Sequence, residues 1–394
     1  MTKTKPPLWI LLLLLPFASI GGVLFTPALP EIARLLDLNE TSAQAMMTFY
    51  LFGYALGNLL YGPLAKRFGR KPTVYTGIFI TILGSLITVM GGKIEMFSLF
   101  LLGRFITAVG ACVGMKISFT MIADTHKSTE ATQKMAFIVL AFAVAPGLSI
   151  AMGGFLTMHF GWSSCFYALI AYSLLLLMCS LTLQETAPYL DRKALHLSEV
   201  KATYLKKIQN SSFIYASFIM GTAAACIYIF STLAPFILIN YIKITPQQYG
   251  LFNFIPPLGL ITGSLATYWL AERQERLTTI RLGGKISLLS LLVMQVLILF
   301  QILNPWVIFV PITLAYVGVS LAFNNSTVLA LEHVEDKSNG SAVMTFISIG
   351  TAACAVFISQ MILSPVIYEM PIFLIFFSLC QLYFCRRYRL SFSH

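Results

Sequence analysis

Gly62-Pro63-Leu64-Ala65-Lys66-Arg67-Phe68-Gly69-Arg70-Lys71-Pro72 places four cations between two apolar runs, at about 43–63 and 73–92. Gly62 and Gly69 permit tight turning. Lys66, Arg67, Arg70 and Lys71 are costly to bury in hydrocarbon, so they keep the stretch in water. It reads as a short basic loop joining two membrane-crossing rods.

Composition extends that reading to the whole chain. Of 394 residues, 58% are hydrophobic and 10% charged, with mean hydropathy +0.82. Soluble domains carry roughly 25% charged residues, so lipid must be the solvent for most of this surface. A hydrocarbon core of about 30 Å takes roughly 20 apolar residues per helix, whereas a barrel would alternate in strands of about ten. Continuous apolar runs lie at about 8–28, 43–63, 73–92, 98–121, 135–157, 163–184, 213–240, 247–271, 280–303, 305–330, 340–362 and 366–385. The fold expected is an all-α membrane protein of twelve transmembrane helices in two six-helix bundles. A polar gap at 185–211 separates an N-terminal bundle, 1–184, from a C-terminal bundle, 212–394.

The net charge of +11 sits in short loops rather than on a nucleic-acid-binding face. With the N-terminus in the cytoplasm, 21 of the 26 Lys and Arg fall on the cytoplasmic side. Arg34, Lys93 and Lys243 fall outside, and Arg104 and Lys116 lie within the fourth run. That asymmetry predicts both termini in the cytoplasm. Lys3 and Lys5 precede an apolar run with no clean cleavage site, which reads as a first span rather than a signal peptide. The seven cysteines show no metal spacing and read as small hydrophobes. The halves echo each other where the second and eighth runs end, in Pro63-Leu64-Ala65-Lys66-Arg67 and Trp269-Leu270-Ala271-Glu272-Arg273. Such repeats suggest two bundles rocking about a central site.

The stretch 62–72 resembles the signature loop of the major facilitator superfamily in its Gly and Arg-x-Gly-Arg-Lys spacing and its place after span 2. The resemblance implies a conformational role for Gly62, Lys66, Arg67, Gly69 and Arg70. The family carries an acid where this chain has Lys66, and that acid helps hold the inside closed. Lys66 therefore predicts a well-populated inward-open state, unless Glu335 or Asp336 pairs with it. Ala145-Pro146-Gly147 through Gly153-Gly154, followed by Phe160-Gly161-Trp162, resembles the antiporter motif of drug exporters, with Pro146, Gly153 and Gly154 as its kink and close-packing residues. Together with Thr26-Pro27-Ala28-Leu29-Pro30-Glu31-Ile32, Ala234-Pro235-Phe236, Thr245 to Gly250 and Asn324 to Glu332, the chain is similar to the Bcr/CflA group of bacterial drug-resistance exporters from about 8 to 385. That resemblance implies export from cytoplasm to periplasm across the bacterial inner membrane, driven by inward proton flow.

Arg104 costs about 2.5–3.5 kcal/mol at mid-bilayer and needs an interior partner. It is either bonded to helix carbonyls or faces the central cavity. Lys116 lies about 18 Å further along the same helix and 120° around it, and either touches cargo or snorkels toward Asp124. The Bcr/CflA group usually has an acid where this chain has Val23. The fifteen acids all fall in loops or at helix ends, so coupling would rest on a peripheral acid such as Glu31 or Asp124. Two interior bases and no interior acid predict an electropositive cavity suited to anionic or zwitterionic cargo, such as a siderophore or organic acid. Tyr50, Tyr54, Asn58, Tyr228, Asn253, Phe254, Asn324 and Asn325 are further cavity candidates, or partners in helix packing.

No nucleotide loop, metal cluster or catalytic triad is present in the sequence, so no cofactor is expected. The expectation is a monomeric secondary transporter exporting a small organic molecule, with the lipid bilayer and protons as partners. An importer of an organic anion is the alternative within transport, and a membrane sensor or embedded enzyme the alternative outside it.

Overall fold

The computed structural model describes residues 5–126, 128–191, 194–195, 204–205, 207–332, 334, 337–361 and 365–390, with 128–143 and 337–338 as backbone only. In lipid every backbone N–H and C=O must pair internally, and these apolar runs do so as helices. Twelve rods follow in order: α1 (Leu8–Leu35), α2 (Ala45–Phe68), α3 (Arg70–Lys93), α4 (Phe97–Thr125), α5 (Ser128–Phe160), α6 (Ser163–Leu181), α7 (Ser211–Tyr241), α8 (Pro246–Phe252 and Pro256–Leu270), α9 (Arg276–Leu299), α10 (Pro305–Glu332), α11 (Lys337–Ser359) and α12 (Val366–Leu390).

Several rods are interrupted where proline removes a backbone donor. α1 breaks at Pro16 and tightens over Thr26–Ala28, where the Thr26 hydroxyl donates to the Val23 carbonyl at 2.9 Å. α7 widens after Pro235 into a π-helical turn over Phe236–Tyr241. α8 stops at Phe252 and restarts at Pro256.

The structure corrects the expected basic loop at 62–72. α2 runs on to Phe68 and α3 begins at Arg70, so the connection is Gly69 alone, at φ +98°. Gly62 is interior to α2 and makes no turn. The helical path of α1 likewise continues past residue 28 and takes in Glu31 near its end.

Packing repeats between the halves. α3 lies against α4 and α6, as α9 lies against α10 and α12. α2 packs on α4 as α8 packs on α10, and the pairs α2 with α11 and α5 with α8 join the halves. The molecule has a basic end, carrying Lys66, Arg67, Arg70, Lys71, Arg273, Arg276 and Arg386, and an opposite end carrying residues 36–44, 94–96, 161–162, 242–245 and 300–304.

Candidate functional site

Arg104 is fully buried. Its guanidinium donates to the carbonyls of Gly21 at 3.0 Å, Met46 at 3.4 Å and Gly22 at 3.5 Å. It lies 3.8 Å from the Phe25 ring centroid and 4.3 Å from that of Tyr50. Gly21 and Gly22 face Tyr50 closely enough that side chains there would crowd the ring. Of the two readings open from sequence, the geometry is that of helix carbonyls plus two aromatic faces. The guanidinium ties α1, α2 and α4 together and leaves no surface open to cargo in this conformation.

Three of the other candidates are satisfied by their own helices. Asn58, Asn253 and Asn325 each donate to the carbonyl four residues back, at 2.7–2.8 Å, and are buried. Tyr50 donates to the Ala18 carbonyl at 2.6 Å. Tyr54 and Tyr228 are buried within the core. Asn324 differs: it reaches across from α10 to the Ser264 hydroxyl of α8 at 3.1 Å. Phe254 stays 43% exposed beside the α8 break. Lys116 is half-buried on α4, facing α2, with its Cε 3.9 Å from where a Gly62 side chain would begin. Asp124, the acid toward which it was expected to snorkel, is engaged by Arg70 and Thr186.

The basic end is held by a network around Arg70. Its Nε donates to Asp124 at 2.8 Å and an Nη to the Ala65 carbonyl at 2.7 Å. Glu185, just past α6, accepts from the backbone N–H groups of Arg70 at 2.9 Å and Lys71 at 3.1 Å, and so caps α3. It also accepts from Thr186 and Ala187 at 2.9 and 2.8 Å. Burial pushes the Glu185 carboxyl up, but the N–H groups of Arg70, Ala187, Lys71 and Thr186 outweigh it and hold the group below its ordinary value. Arg67 lies over the Phe68 ring, and the Lys66 carbonyl accepts from the Asp191 N–H at 3.0 Å. Glu335 and Asp336, the expected partners of Lys66, lie outside the described residues.

At the opposite end the halves are sealed. Across the halves, a side chain at Gly154 of α5 would overlap the Pro246 carbonyl of α8; within the N-terminal half, one at Gly153 would overlap the Leu24 carbonyl of α1. Gly147, one residue beyond Pro146, faces the Asn253 carbonyl at the α8 break. Ser359 donates to Gln44 at 2.7 Å, Asn240 to Glu40 at 2.7 Å, and Gln360 to Thr48 at 2.5 Å. Among the described residues, these three hydrogen bonds join 5–184 to 212–390 at this end. Glu31 accepts from the Trp162 N–H at 3.2 Å, within its own half.

A model of the Major Facilitator Superfamily matches residues 11–380. The chain belongs to the major facilitator superfamily. It is a transporter of that superfamily, not an enzyme, and is associated with drug-resistance efflux proteins. This facilitator is 29% identical over 355 residues to an uncharacterized transporter of Rickettsia bellii, covering 87% of this chain and 86% of the relative. It is 27% identical over 319 residues to the chloramphenicol resistance protein CraA of Acinetobacter baumannii, covering 79% and 75%. The crystal structure of a D-xylose-proton symporter shares the fold, at a TM-score of 0.72 and 14% identity, over 95% of this chain and 97% of that one.

Two residues of the facilitator's architecture were not singled out by sequence motifs. Glu185 caps α3 across 115 positions of sequence, and the signal available was an acid directly after an apolar run. Glu369 counts as an end-of-helix acid in sequence, but in the fold it is 1% exposed.

Proposed function

We propose that this facilitator exports a small organic molecule from cytoplasm to periplasm across a bacterial inner membrane by proton-coupled alternating access. The basic end faces the cytoplasm, and the bundles 1–184 and 212–394 rock about the linker 185–211. The described conformation, joined across the opposite end, is then the inward-facing one, ready to load cargo. The observation that carries the reading is the seat of Gly154 of α5 against the Pro246 carbonyl of α8, across the two halves. It gives the exporter-like motif of α5 a mechanical part, the closing surface of the outer gate. The similarity to CraA supports an antibiotic-sized cargo. Two basic side chains, Arg104 and Lys116, lie at membrane depth on α4, which favours anionic or zwitterionic molecules.

The test is transport in everted membrane vesicles from cells that overproduce the protein, with chloramphenicol and a panel of anionic and cationic dyes. Export predicts uptake into everted vesicles that collapses with the proton gradient. Accumulation in intact overproducing cells would favour import, and uptake of cationic dyes alone would overturn the cargo class.

A further inference from the structure

Glu369 stands in the first turn of α12 with 1% of its surface exposed, and neither carboxylate oxygen has a hydrogen-bond partner among the described residues. It lies where the halves meet. Gln44, completely buried at the start of α2, accepts from Ser359 of α11, while its own Nε2 is buried without a partner among the described residues. Ser359 lies beside the Glu369 carboxyl but outside hydrogen-bond geometry, and the charged group that bears on it is Glu40. α7 brings Asn240, which donates to Glu40, and Tyr241 beside that carboxylate, neither a cation. A carboxyl with no hydrogen-bond partner among the described residues therefore sits in the sealed seam, opposed by a second carboxyl from the other half.

We propose that Glu369 is a protonation site built into the seam between the bundles, carrying a proton while the opposite end is closed and releasing it when that end opens. An ionised carboxylate enclosed without a partner is disfavoured against the neutral acid. Opening the seam lets in water and carries Glu40 away with the N-terminal half. The start of α12, whose dipole favours an anion, stays in place. On closure, hydronium on the outer side gives its proton to the carboxylate, forming an O–H bond and leaving water; on opening the transfer reverses. By linkage, acid on that side favours the closed seam and alkali the open one. The seam then senses protons without an acid at position 23, and neither Glu31 nor Asp124, each engaged within its own half, is needed for it. The inference rests on the export reading only for the direction from which the proton enters.

The experiment uses the full chain in lipid nanodiscs, with the seven native cysteines replaced and spin labels at Ile94 and Ile302, exposed positions in opposite-end turns of the two halves. Distances are read from about pH 5 to about pH 9, together with infrared difference spectra of the protonated carboxyl. Wild type is expected to change its open-to-closed ratio by about tenfold or more toward open as pH rises. E369Q should stay closed throughout and lose the carboxyl band. E40Q, which retains Glu369, should move the transition to more acid pH. Equal pH responses in wild type and E369Q, or none in wild type, overturn the proposal. If the band titrates and the seam moves while everted vesicles export nothing, the protonation site stands and the export reading falls. If vesicles export and the band does not titrate, the reverse holds.

Discussion

The Glu185 carboxylate lies in the space that a side chain at Gly69 would occupy. Gly69 is the sole break between α2 and α3, at φ +98°, and its bareness lets an acid from beyond α6 reach the first N–H groups of α3. Gly69→Ala combines the strain of an L side chain at positive φ with a steric conflict, together about 1–3 kcal/mol or more. The expected result is a lowered thermal unfolding midpoint in detergent. Gly69→Ala combined with Glu185→Ala should recover no more than the steric part.

Glu185 also predicts a pH dependence. Its folded value lies below the ordinary 4.5. Its contribution is thus fully present above the unfolded value and is lost as pH falls through the folded value. The difference in unfolding midpoint between wild type and Glu185→Gln should be constant from about pH 8 to about pH 6 and shrink only in acid below the ordinary carboxylate range. A difference that varies across neutral pH would contradict the capping geometry.

Arg70 with Asp124 and Arg276 with Glu332 occupy matching places in the two halves, joining α3 to α4 and α9 to α10. Their burial differs. The first pair has side chains 9% and 13% exposed, the second 47% and 42%. Asp124→Ala leaves a nearly buried guanidinium uncompensated and should cost about 3 kcal/mol or more. Glu332→Ala should cost about 0–1 kcal/mol. Unfolding midpoints of the two variants check the contrast.

Arg104 and Lys116 should separate stability from cargo binding. Arg104→Ala removes three hydrogen bonds and a cation enclosed by aromatic rings, so its main effect should be a lower unfolding midpoint. Lys116→Ala should weaken uptake of anionic cargo into everted vesicles more than it lowers that midpoint. A stable Arg104→Ala protein with weakened cargo affinity would reverse the assignment.

Gly154→Val places a branched side chain against the Pro246 carbonyl. The seam should then fail to close, lengthening the Ile94 to Ile302 distance and abolishing net transport while the protein still inserts.

Much of the fold was legible in the chain because it depends on local quantities. Run length against bilayer thickness called for twelve rods, and motif spacing marked the superfamily. The stretch 62–72 was harder to read. Its charges mark where the chain meets water, but whether cations lie on a loop or on helix ends is invisible to composition. Glu369 does lie at a helix end, as read, but its enclosure was not legible for a related reason: an acid near a helix end is exposed or enclosed according to what packs on it from distant parts of the chain.

The membrane-spanning class, the number of rods and the superfamily could be read from the order of residues, since hydrophobicity and motif spacing act over a few neighbouring residues. Tertiary structure alone decided that Arg104 meets the Gly21, Gly22 and Met46 carbonyls, that Glu185 caps α3 and that Glu369 lies enclosed beside Ser359. Each of those partners is distant in sequence or on another helix. The identity of a side chain sets what it needs, and only the packing of the rods sets what it finds.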